Sequence, residues 1–260
     1  MKNSDGAHSL GWSLMVSVFG WLFVGIGTLI LVLIGLVLWP LSLVLERANG
    51  HLPHRISKFW AKMITVVLPF WEIHAEGFER IEKNKTYVVI SNHQSLLDIL
   101  LCLAKLPFHF KFIAKRELFW IPFFGWHLWL ARYISLNRGD PESGRLCILK
   151  ARQWLRLGVS VIFFPEGTRS RDGQIHEFKA GAFKVALEEK IDILPVVIAG
   201  TRDAIPKNTW LVQKRAPLRL KILPPVSVSG YSLERLEGLR DEIRSQIIRE
   251  FDKLKEEIHA

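Results

Sequence analysis

Between Ser9 and Leu45 the chain carries no Asp, Glu, Lys or Arg, a run of 37 residues. A membrane-spanning helix needs about 20 apolar residues. The run is therefore long enough for one span and too short for two with a turn between them. The expected span is Val16 to Leu38, flanked by Trp12 and Trp39, where the amphipathic indole favours the headgroup level. Gly25-Ile26-Gly27 marks the place where a re-entrant hairpin would turn instead. A cleaved signal sequence fits poorly, because its apolar core is only about 7–15 residues. Only Lys2 precedes the run, whereas Arg47, Arg55, Lys58 and Lys62 come after it. That excess of positive charge assigns the chain beyond Leu45 to the cytoplasmic side.

The remaining length suits one large domain. A net charge of +10 calls for an anionic partner, either nucleic acid or phosphates at a membrane surface. The apolar run favours the membrane, and no nucleic-acid-binding module is recognisable. Cys102 and Cys147 lie in apolar stretches outside any CxxC pattern, which reads as two buried small hydrophobes. From Ile56 to Phe70 the apolar residues fall on one helical side, with Lys58, Lys62 and Thr65 opposite. Such a helix either lies in the interface with its lysines on lipid phosphates or packs into the core.

Beyond it, β-rich runs alternate with helical ones. Strands are expected at Tyr87–Ile90, Phe110–Ile113, Tyr133–Leu136, Val159–Phe164, Ile193–Ala199 and Leu218–Ile222. Helices are expected at Leu97–Ala104, Glu142–Leu157 and Ala180–Glu189. The alternation predicts an α/β fold with a mixed, mostly parallel sheet flanked by helices. The whole then divides into a membrane anchor over 1–71, a catalytic domain over 72–230 and a carboxyl-terminal amphipathic helix over 231–260. The stripe from Leu233 to Ile258 packs that last helix on the domain.

Two segments at predicted strand ends carry candidate chemistry. The first is Ser91-Asn-His-Gln-Ser-Leu-Leu-Asp98. A histidine is the natural general base near neutral pH, and a carboxylate on its other ring nitrogen fixes the tautomer. A spacing of five puts His93 and Asp98 about 140° apart within one helix. They pair best if His93 sits in the turn and Asp98 in the helix after it, with Asn92 as the cap. The second is Phe164-Pro-Glu-Gly-Thr-Arg-Ser170. Gly167 allows close backbone approach, Arg169 offers a planar fork for a phosphate, and Thr168 and Ser170 add hydroxyls. Ligands of open α/β sheets bind at strand ends, so one shared site is expected. Lys115, Arg138 and Lys179 are further cations between or after the motifs. The aromatic run from Leu118 to Leu130 suits an acyl-chain cleft or a lipid contact.

Together these residues resemble the glycerolipid acyltransferases of the bacterial 1-acylglycerol-3-phosphate acyltransferase (PlsC) type. Asn92-His93 with Asp98 is similar to that family's His-x4-Asp motif, and Phe164–Ser170 to its third motif. Lys115–Arg138 resembles its second region, Ile193–Ile198 its fourth, and Lys179-Ala-Gly181 also matches. The likeness covers about Trp71 to Ile222. It departs in the second region, which reads Ala131-Arg-Tyr-Ile-Ser-Leu-Asn-Arg138 without an Asp before Arg138.

The resemblance implies a transferase of the bacterial inner membrane with its catalytic domain in the cytoplasm. It would move an acyl group from acyl-CoA or acyl-carrier protein to a lysophospholipid, lysophosphatidic acid first among them, with no metal or other cofactor. His93 would be the base and Asp98 its partner. Glu166, Gly167 and Arg169 would hold the acceptor phosphate, with Lys115, Arg138 and Lys179 in support. Rival readings are a different acceptor such as a lyso-aminolipid, a metal-dependent phosphohydrolase using His93, Asp98 and Glu166, and a membrane lipid-binding module without turnover.

Overall fold

In a computed structural model of the chain, residues 4–45, 50–68, 70–204 and 216–259 are described. Lys2, Arg47 and the side chain of Trp12 lie outside that description. The apolar run forms one helix, α1 (Ser4–Leu45), which continues through Gly25 and Gly27 and includes Pro40. The stretch Leu14–Pro40 within it is long and apolar enough to cross a membrane. At about 1.5 Å per residue it exceeds a hydrocarbon layer about 30 Å thick. Gly50 turns the chain in a left-handed conformation (φ 65°) into α2 (His51–Val67). α2 returns along α1: the Trp60 indole lies on Gly27 and donates to the Thr28 hydroxyl at 3.1 Å, with Phe23 beside it at 5.1 Å.

Of the two places expected for α2, packing into the core is met on one of its sides. Ala61 and Ile64 are buried in the core, whereas Phe59 and Val66 are exposed. Lys58, expected on a lipid phosphate, donates instead to the Leu106 carbonyl at 2.5 Å.

The body is a seven-stranded sheet with α3 (Leu97–Lys105), α4 (Phe124–Leu130), α5 (Pro141–Arg156), α6 (Gly181–Glu189), α7 (Thr201–Ala204) and α8 (Leu236–His259) arranged about it. The strands are β1 (Trp71–Glu76), β2 (Val88–Ser91), β3 (Phe110–Lys115), β4 (Ile134–Leu136), β5 (Ser160–Phe163), β6 (Ile193–Ala199) and β7 (Ala216–Ile222), in the order β1-β7-β6-β2-β5-β3-β4. All pairings are parallel except β6–β7. The expected mixed, mostly parallel sheet is therefore present. β1 was not expected as a strand, because Glu72, His74 and Glu76 alternate with its apolar residues at an edge where that face meets solvent.

Both sheet faces are covered, which is why the central strands are almost wholly apolar. Period-two alternation sends Val89 to one face with α2 and α3, and Val88 and Ile90 to the other with α5, α6 and α8. Cys102 and Cys147 are buried on opposite faces, as small hydrophobes. β2, β3, β5 and β6 share one direction, so their carboxyl ends gather at one edge of the sheet and their amino ends at the other. The carboxyl edge is where the site lies.

Candidate active site

His93 stands in the turn between β2 and α3, and Asp98 lies in the first turn of α3. His93 Nδ1 meets Asp98 Oδ2 at 2.7 Å. The awkward spacing of five is thus resolved by a turn, as expected. Asp98 is fully buried, and four hydrogen bonds hold it. Oδ2 also accepts from the Gln94 and Ser95 backbone N–H groups at 2.7 and 2.8 Å, and Oδ1 accepts the Thr201 hydroxyl at 2.5 Å. Buried carboxylates are tolerated only when satisfied in this way. With Nδ1 engaged, Nε2 is the His93 nitrogen left for an acceptor. The ring is fixed from another side by Phe164, stacked at 4.2 Å between centroids.

Asn92 does not cap α3. Its amide pairs with the backbone of Ile198 in both directions, donating at 2.8 Å and accepting at 2.9 Å. The residue joins the end of β2 to β6, which brings Thr201 under Asp98.

The Pro-Glu-Gly-Thr-Arg loop comes after β5, the neighbour of β2, and grips the backbone of His93. Glu166 accepts the His93 N–H on Oε1 at 2.7 Å and the His176 N–H on Oε2 at 3.2 Å. The Ser170 N–H donates to the His93 carbonyl at 2.9 Å. Burial pushes the Glu166 carboxyl above its ordinary range, and the two backbone N–H groups oppose that shift. Glu166, expected on the acceptor phosphate, has both oxygens occupied by the protein and braces His93. The Ser170 hydroxyl, expected as a ligand donor, is spent on Asp172 and the Gly173 N–H.

Gly167 has φ 72°, and a Cβ there would meet Lys179 Nζ at 3.0 Å. Glycine therefore lets the Lys179 ammonium lie against the loop. Thr168 is exposed beside it. Arg138 is held below the usual guanidinium range by burial and by the nearby Arg169 charge, with Glu117 opposing. The two guanidiniums are thus near enough to repel one another. Lys115 is paired with Glu117 at 2.9 Å at the rim.

Three contributors were missed in the sequence. Thr201 comes directly after β6, so its place at a strand end was the available signal. Phe164 was read only as part of the loop motif. Gln94 is buried with neither amide atom partnered, next to His93 in the chain, and no sequence pattern announces this. The aromatic run after Lys115 packs against α1, with Trp129 at 5.9 Å from Trp39, and leaves Trp120 and Trp129 74% and 63% exposed.

Among the described residues no group of three or more His, Cys, Asp or Glu is placed to hold a metal ion. The oxygens of Asp98 and Glu166 all face protein donors.

The profile of the family described as Acyltransferase matches residues 72–199. A chloroplastic 1-acyl-sn-glycerol-3-phosphate acyltransferase of Arabidopsis thaliana is 34% identical over 90% of this chain and 64% of its own length. One from Limnanthes douglasii is 31% identical over 80% of this chain and 74% of its own. The chain thus spans about two thirds of the length of such relatives, some of them chloroplastic. The crystal structure of the 1-acyl-sn-glycerophosphate (LPA) acyltransferase PlsC from Thermotoga maritima superposes with a TM-score of 0.81 at 31% identity, over 95% of this chain and 98% of that one. With this fold, this pair of motifs and these relatives, the chain belongs to the acyltransferase family that includes the 1-acyl-sn-glycerol-3-phosphate acyltransferases.

Proposed function

We propose that the chain transfers a fatty acyl group from a thioester, acyl-CoA or acyl-carrier protein, to the free hydroxyl of a lysophospholipid at a membrane. The observation that carries this is the His93–Asp98 pair at the carboxyl edge of the sheet, on the side of the loop that carries Arg169, with Arg138 near that arginine. His93 Nε2 takes the proton of the acceptor hydroxyl while Asp98 balances the imidazolium. The hydroxyl oxygen bonds to the thioester carbonyl carbon, and the carbon–sulfur bond then breaks. The thiol leaves with the proton returned by His93, so no covalent enzyme intermediate is needed.

Arg169 and Arg138 supply planar donors for the acceptor's phosphate, with Lys179 beside them. Gly167 gives that phosphate access to the loop backbone. Lysophosphatidic acid is the acceptor this arrangement and the relatives' names favour. α1 holds the domain at the bilayer, an inner membrane in a bacterial cell. Asn137, standing where the family often carries Asp before Arg138, favours a second reading in which another lysolipid is accepted.

The test is His93→Ala in membranes with labelled acyl-CoA, where transfer should fall about 10²- to 10⁴-fold. Near-normal transfer by the folded variant would remove the assignment. A panel of lysolipids and both donor types, with products read by mass spectrometry, decides between the acceptors.

A further inference from the structure

The amino-terminal edge of the same sheet holds a second cluster of histidines that the transfer reaction does not use. A cavity of about 360 Å³ opens there between the first three turns of α2 and the loop that leads into β3. Six basic residues line it: His51, His54, Arg55, Lys58, Lys62 and His109. No acidic residue is among its described lining residues. The volume is within the range of about 300–1,000 Å³ typical of small-ligand sites. β3 runs from this cavity to Lys115 at the catalytic edge, roughly 17 Å at about 3.3 Å per residue. The two sites are therefore separate.

Its centre is His54, 1% exposed, whose Nδ1 lies 3.0 Å from the Tyr133 hydroxyl. That hydroxyl donates in turn to Ser57 at 2.9 Å, so it accepts from His54, and Nδ1 carries the imidazole proton. Nε2 is then a bare acceptor. It is buried with no partner, and so is Nε2 of His109, whose ring lies 4.6 Å from that of His54. Buried polar atoms of this kind nearly always find partners. Burial and the neighbouring charges hold both imidazoles in the neutral form, His109 down to about 3. The groups facing them are His51 and Lys58 on α2 and Lys111 on β3, with the Tyr133 phenol completing the surround.

The cavity therefore combines cationic donors at its mouth with two unpartnered imidazole nitrogens at its base, of which that of His54 is a bare acceptor. A carboxylate or a phosphodiester satisfies the cations only. A phosphate monoester has a second pKa of about 6, so near and below that pH it carries charged oxygens together with one acidic P–O–H, a form that dwindles as the pH rises toward about 8. We propose that this cavity is a second binding site, for a phosphate monoester. The charged oxygens meet Arg55, Lys58 and Lys62, and the P–O–H donates to His54 Nε2. The same chemistry is offered by a lipid headgroup, since α2 is joined directly to the apolar α1, and by a soluble phosphate.

The experiment is calorimetric titration of the full chain in detergent, with Arg169→Ala as the background that weakens phosphate binding at the catalytic edge. The probes are inorganic phosphate, dihexanoyl phosphatidic acid and dihexanoyl phosphatidylglycerol. We expect at least one monoester to bind, the diester to bind at least about tenfold more weakly, and affinity to fall from about pH 6 to about pH 8. Binding of phosphate alone assigns a soluble ligand, and binding of the lipid monoester alone assigns a headgroup. Arg55→Gln with Lys62→Gln, both on the face of α2, should lower affinity by at least about tenfold. They should leave acyl transfer unchanged when introduced without Arg169→Ala. Loss of all monoester binding in Arg169→Ala, equal binding of the diester, or full affinity in the double variant would each overturn the proposal.

Discussion

His93 and His54 are imidazoles buried against the same seven-stranded sheet, one at each edge, and their surroundings are opposite in charge. His93 shares its Nδ1 with a carboxylate that three further donors hold in place. A proton arriving at its Nε2 creates an imidazolium that Asp98 balances. His54 shares its Nδ1 with a phenol, and the charges near it are Lys58, Lys111 and the other histidines. A proton arriving there meets burial and like charge together. The two imidazoles thus differ in the group on the second nitrogen and in the sign of the charges beyond it, and in the proposed function only the first has a carboxylate to balance an added proton.

The largest expected effect removes the charge from the catalytic side of the comparison. Asp98→Asn keeps the size of the side chain but leaves the imidazolium unbalanced and accepts fewer of the four hydrogen bonds. kcat should fall about 10²- to 10⁴-fold, with the lysolipid KM little changed. Steady-state kinetics in detergent check it. A variant near wild-type rate would mean that Asp98 serves folding alone.

Thr201 tests how finely that carboxylate must be held. Its hydroxyl is the partner of Asp98 Oδ1, and a hydrogen bond to a charged group contributes about 1.5–3 kcal/mol. Thr201→Val should therefore lower kcat about tenfold or more, and Thr201→Ser should restore most of it. A loss in both variants, or in neither, would contradict a positioning role.

How far these edges were legible in the sequence differs for the same reason. The catalytic edge was readable because a turn brings nearby positions together: His93 and Asp98 are five residues apart, and the loop motif comes after an obvious apolar strand. The roles within it were less readable. Glu166 looked like a ligand because it neighbours Gly167 and Arg169, yet tertiary packing turned it onto the His93 backbone. Thr201 and Asn92 act across gaps of more than 100 residues, which no local pattern encodes. The amino edge was still less visible. His54, His109 and Tyr133 come from α2, a loop and the approach to β4, and each alone reads as an ordinary core or surface residue. The fold was the clearest part, since alternation of apolar strands with amphipathic helices depends on local pattern. Among the described elements β1, with one face in water, escaped it, and so did the short helices α4 and α7.

On the other side of the comparison, Tyr133→Phe removes the oxygen that accepts the His54 Nδ1–H and leaves that donor buried. Stability should fall by about 1–3 kcal/mol, read as a lower thermal midpoint in detergent, while kcat stays unchanged. A parallel loss of kcat would show that the two edges are coupled.

The smallest effect is a slope with pH. His109 is held down to about 3 and His127 to about 4, the first by burial and neighbouring cations and the second by burial. His54 is lowered in the same direction. In the unfolded chain these histidines take up protons near 6.5. Between that value and the folded values, the unfolded state binds more protons than the native state, so acid favours unfolding. Their contribution is fully present above about 6.5 and declines as the pH falls toward about 4 and then about 3. The thermal midpoint should therefore drop between about pH 7.5 and about pH 5, a range in which few other side chains titrate. His109→Gln combined with His127→Gln should flatten that slope, because the variant has two fewer groups that must be kept neutral. An equally steep slope in the variant would place the acid sensitivity at the catalytic edge, and the contrast between the two histidines would no longer account for it.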